Sequence, residues 1–405
     1  MGASKLKKGY ISTFIYSIIF CFIMLCIITY PVQSVEAASN GLKLWLNVVC
    51  PALLPFFICI DILTGLGIVS LLGAIFRSVM LPVFRVPGEA SFAFIMSIAS
   101  GYPVGAKITA KLRQDRLCTR LQGQRMLNLC STSGPLFIIG AVATGMLRDA
   151  RLGVLLAVAH YLSALTMGYF MRFYGRDSSI PKYSSSVNPF REMFIYRKRD
   201  GRTIGALMGD SVKNGVNLIL MIGGYIILFS VIASALKLSG LLDSISAVVC
   251  SLLPFLHIDK QTVSSALIGI LEVTNGINEC AKLSLPLIGK CSLVSFMIGF
   301  GGLSINAQVL SIITDTDLRF GFYLFVKLLQ GITASVYTYF MFNFFDNLQA
   351  VSASHIFSKS MYLYKQPVFG EVFACTAVNI AYVLLGITIL AAGAALYKHK
   401  QKSFG

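Results

Sequence analysis

Polar side chains set deep in apolar sequence gather in four short stretches: 100–107, 131–135, 274–282 and 301–308. The first, Ser100-Gly101-Tyr102-Pro103-Val104-Gly105-Ala106-Lys107, holds two glycines and a proline within five residues, after an apolar run (90–98) and before a basic one (108–125). Glycine and proline are poor helix formers and free backbone N–H and C=O groups. In a chain this apolar, the interruption reads as a broken helix inside a membrane. Such a break is tolerated only where it is buried in protein or lines a cavity. Half-helix N-termini there carry partial positive charge and free N–H groups, which suits anions. The C-terminal half-ends and loose carbonyls suit cations.

The binding candidates follow from those stretches: Ser100, Gly101, Tyr102, Lys107, Ser131, Ser133, Gly134, Asn275, Gly276, Asn278, Lys282, Asn306 and Gln308. Lys107 and Lys282 offer charge to a carboxylate, or else snorkel to the membrane interface from a helix end. Glu272 and Glu279 are seven residues apart and would share a helix face if no break intervened. An acid in an apolar stretch is a coupling candidate for H⁺ or Na⁺, or a structural partner for a lysine. The amides can serve a substrate's polar groups without charge, or hold helices together. His160 reads as a packed helix residue, and Asp61 is a weaker candidate. No H-E-x-x-H, G-x-S-x-G or P-loop pattern occurs, so the chain reads as no enzyme, with no cofactor and no metal site expected.

Composition explains why these breaks stand out. Of 405 residues, 56% are hydrophobic and 13% charged, against roughly 25% charged in soluble domains. Mean hydropathy is +0.76. Several runs reach the ~20 residues that cross a bilayer, so the fold class is an all-α, polytopic integral membrane protein. The net charge of +17 comes from 34 Lys+Arg against 17 Asp+Glu. Those bases fall mostly at the ends of apolar runs, as topology signals do, and nucleic acid is set aside as a partner. The ten cysteines include no C-x-x-C pair, so neither a disulfide framework nor a zinc site is expected.

Five segments follow along the chain. Residues 1–40 hold an uncleaved first helix and an outer loop; 41–175 form a first repeat; 176–205 are a basic cytoplasmic linker. Residues 206–345 form a second repeat, and 346–405 an outer loop, a last transmembrane helix and a basic tail. Gly101-Tyr102-Pro103-Val104-Gly105-Ala106-Lys107 aligns without gaps on Gly276-Ile277-Asn278-Glu279-Cys280-Ala281-Lys282, matching at Gly101/Gly276, Ala106/Ala281 and Lys107/Lys282. The positive-inside rule puts Lys5–Lys8, the linker and the tail in the cytoplasm, with both termini there. Each repeat then crosses an odd number of times, so the copies are inverted. Inverted halves with paired broken helices are the layout of secondary transporters, with the substrate near the midplane. The expected partners are a small anionic substrate and the lipid bilayer, with a homo-oligomer left open.

One family shares these motifs. Trp45 with Cys50-Pro51-Ala52-Leu53-Leu54-Pro55-Phe56-Phe57, the stretch from Ala99 to Lys107, Ser133-Gly134-Pro135-Leu136-Phe137, Ala159-His160-Tyr161 and Met171-Arg172-Phe173-Tyr174-Gly175 resemble the YlbJ (SpoVV) family of sporulation integral membrane proteins. The resemblance is densest from 41 to 175. That family carries the Gate, or nucleoside-recognition, domain. The resemblance implies work in the mother cell, in the outer forespore membrane, moving dipicolinic acid toward the forespore in support of spore cortex formation. Other sporulation membrane proteins would be its neighbours. Dipicolinate is a small, flat dianion that suits half-helix N-termini and a lysine, as any small carboxylate would. A nucleoside or cation permease, or a non-transporting scaffold of the forespore envelope, are the alternatives.

Overall fold

The computed structural model describes residues 2–175, 188–252, 254 and 258–352, and among them there is no strand. The expected last span and basic tail lie outside the described residues. Helices α1 (Gly2–Thr29) and α2 (Pro31–Leu44) meet at Tyr30, where the axis bends by 105°. A residue before proline is pushed out of the α region, and proline itself suits the first turn of a new helix. Residues 31–40, expected as an outer loop, are therefore helical. A π-helical turn, Trp45–Val49, leads into α3 (Cys50–Gly65), where Pro51 sits in the first turn and Pro55 inside. A π-turn beside prolines is a familiar way to absorb the bonds they cannot make.

Next come α4 (Ile68–Phe84), α5 (Ala90–Ser100) and α6 (Tyr102–Gln114). Helix α7 (Arg120–Leu129) opens on a reciprocal cap between Thr119 and Gln122. The chain then unwinds over 131–134 before a π-helix, Leu136–Met146, and α8 (Leu152–Met171). The basic linker is partly helical: α9 (Pro189–Asp200), with Asn188 as its cap and Pro189 in its first turn, packs on α4. Helix α10 (Ile204–Leu238) lies along α2 and α3, tied by Trp45 Nε1 donating to the Ile219 carbonyl at 2.9 Å.

The second half holds α11 (Leu241–Leu252), α12 (Lys260–Leu271), α13 (Val273–Lys282), α14 (Leu287–Phe300), α15 (Gly302–Ile313) and α16 (Phe320–Ser352). Helix α16 continues through the first seven residues, 346–352, of the segment expected as an outer loop. Among the described residues, four helices or paired helices are long and apolar enough to span a bilayer: 152–171, 204–238, 287–313 and 320–342, or five if the bent pair after Ser17 is one span.

One order of elements occurs twice. A hairpin (α5 and α6), a broken helix (α7 and the π-helix) and an apolar helix (α8) are followed later by α12 and α13, α14 and α15, then α16. The halves interlock: α6 packs on α15, α13 on the π-helix, and α8 on α16.

The second hairpin turns at Glu272, four residues before the Gly276 that the gapless alignment set opposite Gly101, and the stretch 274–282 is helical throughout. The reason is chemical. The Glu272 carboxylate caps α13 by accepting from Asn275 N at 2.7 Å, so this turn needs no left-handed glycine. Gly276 has a different use: a Cβ there would lie 2.1 Å from Gly269 Cα, so it lets the two hairpin arms touch.

Candidate binding site at the helix breaks

Four half-helices begin around one cavity. Its lining takes Gly101, Tyr102 and Pro103 from the start of α6 and Ser133, Gly134 and Leu136 from the start of the π-helix. Glu272, Val273 and Thr274 come from the start of α13, and Ser304, Ile305 and Gln308 from the first turns of α15. The cavity together with the open space at its mouth amounts to about 680 Å³. Val49, Leu53 and Phe57, with Ile222, Tyr225 and Ile226 from the α10 helix packed on them, make its apolar wall. Each helix start carries roughly +0.5 elementary charge and unbonded N–H groups. At α13 that charge is already answered by Glu272. Among the described residues, no lysine or arginine lines the cavity.

Backbone geometry sets the breaks. Gly101 has φ +87° and ψ −173°, a conformation open to essentially glycine alone. The nearest atom to a Cβ built there is Gly134 N at 3.7 Å, so the first two breaks face each other. Gly301 and Gly302, with φ of +83° and +71°, turn the chain between α14 and α15. The buried Tyr102 donates its hydroxyl hydrogen to the Ile298 carbonyl, joining the first hairpin to α14.

The unwound segment 131–134 must satisfy its backbone groups without water. His160 Nε2 accepts from Ser133 N at 3.0 Å. That bond fixes the neutral ring with its proton on Nδ1. Tyr161 Oη donates to the Ser133 carbonyl at 3.0 Å, and the hydroxyls of Ser97 and Thr132 pair at 2.8 Å. From α16, Lys327 Nζ donates to the Ser131 carbonyl and to Gln330 Oε1, both at 2.8 Å.

The cavity thus brings together Gly101, Tyr102, Ser133, Gly134, Gln308 and Glu272. Gln308 is 4% exposed, and its Oε1 has no hydrogen-bond partner among the described residues. The other candidates sit elsewhere. Asn306 Nδ2 donates to the Phe300 and Gly302 carbonyls, closing the end of α14. Asn275 Nδ2 reaches Ser230 Oγ on α10 at 2.7 Å. Ser131 is buried at the break and holds Lys327 through its carbonyl. Asn278 is half-buried on α13, and Gly276 lies at the hairpin crossing. Lys107 and Lys282 are exposed, with Lys282 paired to Glu279 at 2.6 Å. Ser100 ends α5, and its side chain lies outside what is described. Asp61 accepts from Asn214 at 3.2 Å.

Thr274 and Ser304 in the lining fall within the stretches singled out from the sequence without being named there; Tyr225 in the lining and Lys327 behind it lie outside those stretches and were missed. A signal for Lys327 was present, since an ionisable residue within an apolar span is a functional candidate by default. Among the described residues no group of three or more His, Cys, Asp or Glu side chains could hold a metal.

Away from the spans, the halves are also pinned by charge. Arg113, near the end of α6, grips Asp317, between α15 and α16, through two bonds of 2.8 Å. The Arg113 guanidinium holds the Asp317 carboxyl below the usual carboxylate range, and the bond raises the guanidinium in turn. Beside it, Gln124 accepts from Arg319 N at 2.7 Å and donates to its carbonyl at 3.3 Å.

With the geometry in view, comparison with known proteins narrows the identity. Residues 46–177, which include the first two breaks, match the family model described as Gate, nucleoside recognition. Among solved structures, a variant of CNTnw in an outward-facing state aligns over 86% of this chain and 88% of that one, at a TM-score of 0.48 and 12% identity. The sporulation integral membrane protein YlbJ of Bacillus subtilis (strain 168) is 39% identical over 345 residues, which cover 83% of each chain. At that identity and coverage, the chain belongs to the YlbJ family of sporulation integral membrane proteins.

Proposed function

We propose that this protein carries a small organic anion, dipicolinic acid, across the outer forespore membrane, and that spore cortex formation depends on it. The observation that carries this reading is the meeting of four half-helix N-termini at one apolar-walled cavity. Amides and helix dipoles fixed in a dry setting stabilise negative charge without an ion pair. They also let the anion leave, because no lysine or arginine side chain in the lining grips it. In this reading the two halves enter from opposite sides of the bilayer, both termini face the mother-cell cytoplasm, and rocking one half against the other opens the cavity alternately. No cofactor, metal or nucleic acid enters it.

A neutral heterocycle such as a nucleoside is the second reading. It is favoured by Glu272 in the lining and by the unpartnered Gln308 Oε1, which suits a ligand N–H. The test is uptake of labelled dipicolinate by proteoliposomes holding the intact protein. Saturable uptake that excess uridine leaves unchanged supports the anion; uptake of uridine in its place supports the second reading. No uptake of either by a folded sample removes both.

A further inference from the structure

Lys327 is fully buried in the third turn of α16, and no carboxylate lies within ion-pair distance of it among the described residues. Its ammonium is held by three groups from three places. The Ser131 carbonyl accepts at 2.8 Å from the first broken helix, Gln330 Oε1 accepts at 2.8 Å from one turn along α16, and the Tyr102 ring lies with its centroid 4.9 Å away. A loose carbonyl past a helix C-terminus, an amide oxygen and an aromatic face are each favourable partners for a cation. Two more buried oxygens, Ser131 Oγ on the break and Tyr323 Oη one turn before Lys327, face each other here. The surroundings are thus an oxygen-rich cation pocket, and the chain fills it from within.

We infer that Lys327 Nζ is the resident cation of the first helix break, taking the place that an alkali ion would hold between the Ser131 carbonyl and the Tyr102 ring. Its two bonded partners link the break to α16, while Tyr102 links the same point to the first hairpin and, through Ile298, to α14. The break is therefore held closed by a tethered charge and needs no bound Na⁺. Only the consequence for coupling, that movement of substrate past this point requires no Na⁺, rests on the transport reading. The pocket itself rests on the geometry.

The test reads stability, so it stands whether or not dipicolinate is the substrate. Thermal unfolding of the detergent-purified protein is compared in NaCl, KCl and choline chloride at equal ionic strength, for wild type and Lys327→Ala. Wild type keeps one midpoint within about 1 °C in all three salts, because nothing in the native state binds the ion. Lys327→Ala unfolds earlier in choline and regains roughly 2 °C or more in Na⁺ or K⁺, as the ion enters the vacated oxygens. A wild-type midpoint that rises in Na⁺ overturns the inference, and so does a variant indifferent to all three cations. Should Lys327→Ala not fold, Gln330→Ala takes its place: the ammonium and the Ser131 carbonyl remain, so indifference to the cation supports the inference and a response overturns it.

Discussion

Replacing Gly101 by alanine isolates one physical cost at the centre of the site. The added Cβ meets no atom closer than Gly134 N at 3.7 Å, so there is no clash to relieve. The backbone, at φ +87° and ψ −173°, is the whole penalty. Holding a non-glycine residue in such a region costs of order 1–3 kcal/mol, or roughly a 5- to 150-fold fall in the folded ratio at about 1.4 kcal/mol per tenfold. Gly134→Ala is the matched control. Its new Cβ has similar room, 3.5 Å from the Ile98 carbonyl, and Gly134 is not among the positive-φ glycines. Thermal unfolding in detergent and dipicolinate uptake are read together on both variants. Gly101→Ala lowers the unfolding midpoint and cuts uptake, because relief of the strain shifts the start of α6 away from the cavity. Gly134→Ala changes neither by a comparable amount. Equal behaviour of the two variants would refute the claim that the break is a glycine-only conformation.

Other perturbations follow from the same geometry. Glu272→Ala removes the α13 cap and costs about 0.5–2 kcal/mol on denaturation, whereas Glu272→Gln keeps an acceptor, folds, and binds a dianion more tightly by losing a negative charge from the lining. Gly276→Ala drives a Cβ into Gly269 Cα and lowers stability by about 1–3 kcal/mol, seen as an earlier unfolding midpoint. Lys107→Ala and Lys282→Ala leave uptake near wild type, since both side chains are exposed and neither lines the cavity. Arg113→Ala removes the interaction that depresses the Asp317 carboxyl. That carboxyl's stabilisation is present above the ordinary carboxylate pKa of about 4 and is lost as pH falls through its lower folded value. Unfolding midpoints of wild type and Arg113→Ala therefore differ at neutral pH and converge in acid.

The class of the fold and the positions of the breaks near 101, 131–134 and 301 are legible in the sequence, because glycine and proline are the strongest local signals that a helical run stops. The hairpin turn at Glu272 is not. A side chain that caps its own helix leaves no glycine behind, and thin identity then aligned Gly101 with a glycine that serves helix contact. Charge misled in the same way. Lys107 and Lys282 drew notice because they abut the breaks, yet they lie five and nine positions past the starts of α6 and α13, each well over a turn away. Lys327 sits 226 residues beyond Gly101 in sequence, and only the packing of α16 on α8 and α14 brings it behind Tyr102. Spacing along a chain carries no trace of such a contact.

In the transport reading, the cavity where the four half-helices begin holds the anion. Equilibrium binding of labelled dipicolinate to the purified protein tests it directly, comparing wild type with a chain in which Ala99→Phe and Ile305→Trp fill the cavity. The expected result is one saturable site in wild type, lost in the folded, filled variant and retained in Lys107→Ala. Binding that survives the filling, or that vanishes with Lys107 alone, would contradict it.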